Sequence, residues 1–454
     1  MEKMKYKISS RATILLGRES VSKVESALIE LIKNTYDADA TMCYILFDVE
    51  NDSIFLIDDG SGMTKKIIED NWMMIGTDNK KKEYISKKKR IKSGEKGIGR
   101  FALDRLGGVC ELFTKSQEEH ATIRWKTNWN SFEEEGNLLE DIEAEFEYVS
   151  LSLYELIPDT VKNKIIQLEH RIEKEIDFST GTIIKISNLR DEWTNNQIER
   201  IKKSMEFLIP PKEQDEFYIC QQKSIDSGYE LIENNFSDEF DYKIKSVFDG
   251  ENFMINLYRN EFDVDKIPEN VFREERFMRY PYRKEDFKAK CLEFTYSISQ
   301  LFNTSDSEYI ERIKQIGSFT FEYIFMKLQN QKKEVFFYKE IGKTRNEWLE
   351  EHGGIKIYRD NFWVRPYGEN GSDSFDWLGL EARNNANPVA VSSKTEAWTV
   401  RNAQGQGTVF ISRINNASIL DKSSREGIIE NESFKLSLIV KVVVSKNLYS
   451  CFDR

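Results

Sequence analysis

Hydrophobic and polar positions sort the first third of the chain into a few clear elements. Over residues 21–40 the chain reads VSKVESALIELIKNTYDADA. Val24, Leu28, Leu31 and Ile32 fall together on one side of a helix, and Glu30, Asn34 and Asp37, four and three apart, fall in a sector about 60° wide on the other. The spacing predicts an amphipathic helix that packs on a sheet and carries three polar side chains along one edge. Residues 41–49 (TMCYILFDV) and 53–57 (SIFLI), rich in strand formers and separated by Asn51-Asp52, predict a β-hairpin. Further on, helical spacing returns over 65–74, strands are predicted over 109–115 and 121–129, a charged helix over 160–175, and an alternating strand (IIKISNL) after Thr182.

Beyond a helix predicted over 191–208, Pro210-Pro211 stops the helical pattern and marks a boundary. Strand-like runs over 216–221, 252–258, 291–298, 334–339, 354–358, 362–366 and 408–414 then mix with a helical stretch over 307–329, which predicts an α+β domain. The expected division is a first domain over 1–190 including an N-terminal arm, a connecting helix and linker over 191–211, and a second domain over 212–454. Within the second domain, Tyr358, Phe362, Trp363 and Tyr367 alternate with Lys356, Arg359 and Arg365. Such alternation stacks on single-stranded nucleic acid in some proteins, but a hairpin with one face in the core is the preferred reading.

Bulk composition narrows the function classes. A chain of 454 residues exceeds one typical core, and 39% hydrophobic content is enough to fold it. With 66 basic and 78 acidic residues the net charge is −12, which argues against a generally basic nucleic-acid binder while leaving room for local basic patches such as the lysine-rich run over 80–92. The five cysteines are scattered without CxxC spacing, and no His lies at metal-ligand spacing, so a disulfide frame or zinc site is not expected. No apolar run reaches membrane-spanning length and no signal-peptide core is present, so a cytoplasmic protein is expected.

Candidate chemistry lies in three loops that follow the opening helix. Asp58-Asp59-Gly60-Ser61-Gly62-Met63 follows an apolar strand directly, where glycines two apart let the backbone turn sharply and a flat ligand approach, and Asp58 offers its carboxyl to a donor such as an exocyclic amine. Ser93-Gly94-Glu95-Lys96-Gly97-Ile98-Gly99-Arg100-Phe101 opens a helical pattern, and three glycines there make a cradle of backbone N–H groups suited to phosphate. Gly181-Thr182 opens a strand and places a hydroxyl within reach of the same ligand. A P-loop is excluded because GxxxxGK[ST] does not occur, and although Gly97, Gly99 and Ala102 match the dinucleotide spacing, a basic loop rather than a strand precedes them.

Taken in order, E-x-x-x-N-x-x-D-A (Glu30, Asn34, Asp37, Ala38), D-x-G-x-G (Asp58, Gly60, Gly62), G-x-x-G-x-G (Gly94, Gly97, Gly99) and G-T (Gly181, Thr182) resemble the motifs of the GHKL, or Bergerat-fold, ATPases. That family includes the DNA gyrase B subunit, heat-shock protein 90, MutL, MORC ATPases and histidine kinases. The resemblance implies an α/β sandwich that binds ATP and Mg²⁺, followed by a transducer-type or middle-type α/β domain. It implies Asn34 as the Mg²⁺ ligand, Asp58 as acceptor of the adenine amine with Thr182 assisting, and Glu30 as the base that activates water. Asp37, Ala38, Gly60, Gly62 and Met63 would line the nucleotide, and Gly94, Lys96, Gly97, Ile98, Gly99, Arg100 and Phe101 would close over its phosphates. Histidine kinases of the family generally carry Asn where this chain has Glu30, so the hydrolase branch is expected.

In the second domain, Ser424-Arg425-Glu426 resembles a segment of the heat-shock protein 90 middle domain, which carries the role of γ-phosphate contact to Arg425, with Lys422 and Lys394 as competitors. The implied activity is slow ATP hydrolysis in a molecular clamp that closes its lid, exchanges its N-terminal arm and forms a homodimer on a DNA or protein client, in repair, chaperone or antiviral-defence settings. The alternative is an ATP-binding regulatory or kinase-like module with little hydrolysis. An acidic insert around 132–176 departs from the family pattern.

Overall fold

The computed structural model describes residues 7–19, 23–75, 84–93, 102–210, 216–280, 282–289, 291–328, 339, 342, 344–380, 402–422, 427–429 and 439–444. The chain divides into two compact units, Met1–Asn234 and Asn235–Arg454. Both are mixed α/β, so the fold class is α+β.

In the first unit the opening helix, α1, spans Val24–Asp37 and is followed by the antiparallel hairpin β1 (Met42–Asp48) and β2 (Ser53–Asp58). A short helix α2 (Ala102–Leu106) leads into β3 (Gly107–Lys115), β4 (Thr122–Asn128) and β5 (Glu145–Val149). Then come α3 (Asp159–Ile172), β6 (Gly181–Leu189), α4 (Asn195–Glu206), β7 (Tyr218–Gln222) and β8 (Tyr229–Leu231). The strands form one sheet in the order β5-β4-β3-β6-β2-β1-β7-β8. Strand β1 is buried at every position, as expected of a strand covered on both faces, and its sequence MCYILFD is accordingly a nearly continuous apolar run.

The two faces are covered by different parts of the chain. Helix α1 packs against β1, α2 and α4 on one face, where the buried Thr35 hydroxyl donates to the Ile32 carbonyl at 2.8 Å. The other face carries Met42, Tyr44, Leu46, Ile57 and Ile183, and these pack against Val161, Ile165 and Leu168 of α3. The acidic insert therefore has a structural role, because it supplies the helix that seals the back of the sheet.

The division between units falls at Asn234 and not at the paired prolines. Residues beyond Pro210 return to the first sheet, where β7 runs parallel to β1 with Met42 opposite Tyr218 and Leu46 opposite Gln222. Helix α4 has already ended at Glu206, ahead of Pro210, so the prolines do not set the boundary.

The second unit is built on β9 (Tyr242–Phe248), β10 (Asn252–Arg259), β11 (Cys291–Ser297), helix α5 (Ser307–Lys314), β12 (Phe319–Phe325), β13 (Gly354–Arg359), β14 (Phe362–Trp363) and β15 (Gly405–Ile411). Its sheet order is β11-β10-β9-β12-β15-β13-β14. The helix expected over 307–329 stops at Lys314, because Gly317 takes φ +81° and the run FTFEYIF alternates with strand period. Strand β9, YKIKSVF, alternates just as cleanly and was not among the expected strands, yet it is central. The basic-aromatic stretch forms the hairpin β13–β14, with Tyr358 opposite Trp363 and both buried. The strand expected over 334–339 lies almost wholly outside the described residues.

If α3 seals the sheet, Leu168→Ala, at a fully buried position, should cost about 2–5 kcal/mol in urea unfolding. Ile166→Ala on the exposed side of the same helix should change stability by less than about 0.5 kcal/mol.

Candidate functional site

The polar edge of α1 and the end of β2 meet at one corner of the sheet. Asp58 closes β2, opposite Cys43 on β1 and Thr182 on β6. Its side chain is 5% exposed, and burial pushes its carboxyl up to about 8, against the hydrogen bonds it accepts from the backbone of Gly60 and Thr182 and with a further push from the charge of Asp59. The Gly60 N–H lies 2.9 Å from Asp58 Oδ1. Neighbouring Asp59 faces away from this corner and accepts from the backbone N–H groups of Thr41 and Met42 at 2.8 and 2.9 Å, which locks the turn after α1 to the turn after β2.

The glycines of this loop are required by close backbone approach. A Cβ on Gly60 would sit 2.9 Å from the Ala38 carbonyl oxygen. Gly62 has φ +61°, and a Cβ there would lie 2.0 Å from the carbonyl oxygen of Lys115. Ala38 is part of the same junction, since its carbonyl accepts the Ser61 N–H at 2.8 Å. Met63 is fixed through its backbone N–H to the Thr114 hydroxyl at 2.9 Å, and Thr114 also reaches the Gly181 carbonyl at 3.0 Å and the Thr182 hydroxyl at 3.1 Å. Thr114 was not singled out from the sequence. Its register opposite Thr182 across β3 and β6 is the signal, and that pairing needs the sheet to be known.

Along α1, Glu30 and Asn34 are half-buried, and Glu30 pairs with Lys33 at 3.2 Å. Asp37 is buried and accepts the Ser93 N–H at 2.8 Å. Ser93 is the residue immediately before the glycine-rich run, so Asp37 anchors the start of that run to α1. The run itself, with Gly94, Lys96, Gly97, Ile98, Gly99, Arg100 and Phe101, lies outside the described residues.

Arg90 completes the anchor. Although it ends a lysine-rich run, it is 7% exposed, donating to the carbonyls of Tyr36 at 3.2 Å, Ala40 at 2.7 Å and Glu216 at 2.7 Å. Its guanidinium also lies 4.3 Å from the centre of the Tyr36 ring. From sequence the run reads as solvated charge; only its single arginine has the planar five-donor head that serves three carbonyls at once.

The N-terminal arm folds back on the same unit. Ser10 donates to the carbonyls of Asn137 and Phe132, and Arg18 reaches Asp104 at 2.9 Å and Glu133 at 2.5 Å. Asp104 is 3% exposed and also takes Arg190 at 2.8 Å, so arm, α2 and the end of β6 converge on one buried carboxylate.

In the second unit Arg425 and Lys394 lie outside the described residues. Lys422 lies in a bridge in which its N–H donates to the Gly427 carbonyl at 2.9 Å, and the preceding Asp421 pairs with Arg359 at 2.5 Å.

Residues 21–156 match the family model described as histidine kinase-, DNA gyrase B-, and HSP90-like ATPase, and this part of the chain is a domain of the GHKL superfamily. No curated protein sequence matches the chain. Among the described residues no helix is long and apolar enough to cross a membrane.

The raised Asp58 carboxyl gives a test of its burial. Below its ordinary value of 3.8 both folded and unfolded chains hold the proton, whereas from there to about 8 only the folded chain does. Its contribution to stability is therefore full in acid and falls as pH rises through that window, by at most about 1.4 kcal/mol per pH unit. Urea midpoints of wild type and Asp58→Asn should diverge between about pH 5 and 8, with wild type losing ground as pH rises. Parallel profiles would place the carboxyl in contact with water.

Proposed function

We propose that the first unit binds ATP at the Asp58 corner and hydrolyses it slowly. The observation that carries this reading is the buried Asp58 carboxyl, flanked by Thr182, Gly60 and Gly62, in a domain of the ATPase superfamily. A flat base entering over Gly60 meets no Cβ, and its exocyclic amine donates to Asp58. Thr182, held in place by the buried Thr114, offers its hydroxyl to the ring edge. Phosphates then point along α1 toward the run that Asp37 and Arg90 anchor.

Among the described residues no group of three His, Cys, Asp or Glu side chains is arranged to hold a metal. Mg²⁺ carried in by phosphates needs one or two protein oxygens, and the Asn34 amide oxygen fits that role. When bound, the ion would neutralise the phosphate charge. Glu30, one turn before Asn34, orients a water and takes its proton. Its carboxylate pairs with Lys33 of the same helix at 3.2 Å.

The glycine-rich run closes over the phosphates, and Arg425 contacts the γ-phosphate so that occupancy is reported to the second unit. The arm, once released from Asp104, joins two copies into an ATP-dependent homodimer. Turnover thereby drives a clamp cycle on a DNA or protein client more than it drives chemistry.

Glu30→Ala should reduce phosphate release at least about a hundredfold, the scale of a lost general base, while nucleotide affinity stays within a few-fold. Unchanged hydrolysis would exclude Glu30 as the base. Label from γ-phosphate retained on the protein would instead favour the kinase-like reading.

A further inference from the structure

The first unit holds a second concavity, of about 250 Å³, walled by the helical segment over 65–72, by β4 and by the first part of the insert. Trp72, Trp125, Trp129 and Phe132 line it together with Glu140 and Glu143. Neither Glu30, Asn34, Asp58 nor Thr182 contributes to it. It is smaller than the usual range for drug-sized ligands, so it suits a compact group.

Its walls are aromatic and set at angles. The rings of Trp72 and Trp125 are perpendicular at 90° with centroids 5.8 Å apart, and those of Trp129 and Phe132 are tilted by 34° at 5.2 Å. Aromatic ring faces are electron-rich and attract cations, and four such rings line this one space. The charged residues of the lining, Glu140 and Glu143, are both acidic, and among the described residues no Lys or Arg lines the cavity. The Trp125 indole N–H, on a residue 5% exposed, has no acceptor among the described residues. A ligand with an oxygen near its cationic end would supply one.

A bare ammonium is a poor fit, because it is strongly hydrated and this lining offers few oxygens to replace water. A methylated ammonium gives up water readily, keeps its charge for the ring faces and fills the apolar space with methyl groups. We propose that this cage binds a trimethylammonium group carried on a short chain with an acceptor oxygen. Free choline-type molecules and a trimethylated lysine side chain of a partner share that chemistry. This site is separate from the Asp58 corner and stands or falls without nucleotide.

The test is calorimetric titration of the full chain, without ATP, with choline and with its neutral isostere 3,3-dimethylbutan-1-ol. Parallel arms use a trimethyllysine peptide and the same peptide with unmodified lysine. Choline should bind roughly tenfold or more tighter than the isostere, the scale of a cation–π contribution at a desolvated site. Glu143→Gln and Trp72→Phe should weaken choline several-fold with the urea midpoint unchanged. A trimethyllysine peptide that outbinds both choline and its unmodified form identifies a protein tail as the source, whereas choline binding at least as well as the peptide identifies a free ligand. Equal binding of choline and the isostere, or no saturable binding of either trimethylammonium probe up to millimolar concentration, overturns the proposal.

Discussion

The first unit depends on a carboxyl buried where three strands and a turn meet. Asp58 is enclosed by Cys43 and Thr182 on its neighbouring strands and by Gly60 in the turn that follows. Leaving it ionised there would cost several kcal/mol, so its affinity for protons rises instead. The close approaches at Gly60, Gly62 and Gly181 keep the floor open beside it, since a Cβ on Gly181 would lie 2.2 Å from the Asp58 carbonyl oxygen. A site that strains the apo protein in this way is the kind that a ligand relieves.

Around that floor, the chain fastens its mobile-looking sequences more firmly than their composition suggests. A lysine-rich run ends in Arg90, which is buried on three carbonyls; an acidic insert supplies both the helix that seals the sheet and the surface that receives the N-terminal arm. Arg18 and Arg190 share the buried Asp104 carboxylate, which fastens the arm and the end of β6 to α2. Helix α2, which bears Asp104, runs straight into β3, so the same carboxylate ties the arm to the start of that strand.

Much of the first unit was legible because its local and global signals agree. Helix α1, the hairpin β1–β2 and the strand after Thr182 all follow their periodicity, and the order of the four motifs carries the family before any contact is known. What was hidden depends on long-range pairing. Thr114 acquires meaning only from its register opposite Thr182, and β7 reads as the start of another domain until its parallel pairing with β1 is seen. In the second unit, Gly317 broke a helical pattern at a point where composition alone favoured continuing it, and β9 was overlooked despite a clean alternation. Aromatic residues over 72–132, spread along the sequence, declared no cavity until the sheet brought them together.

The central claim is that Asp58 reads a purine amine. Calorimetric titration with a nonhydrolysable ATP analogue and with its hypoxanthine counterpart, which carries a carbonyl in place of that amine, tests it most directly. The account predicts that the adenine form binds at least about tenfold tighter, as expected when a buried polar group loses its partner. Equal affinities for the two nucleotides would contradict it.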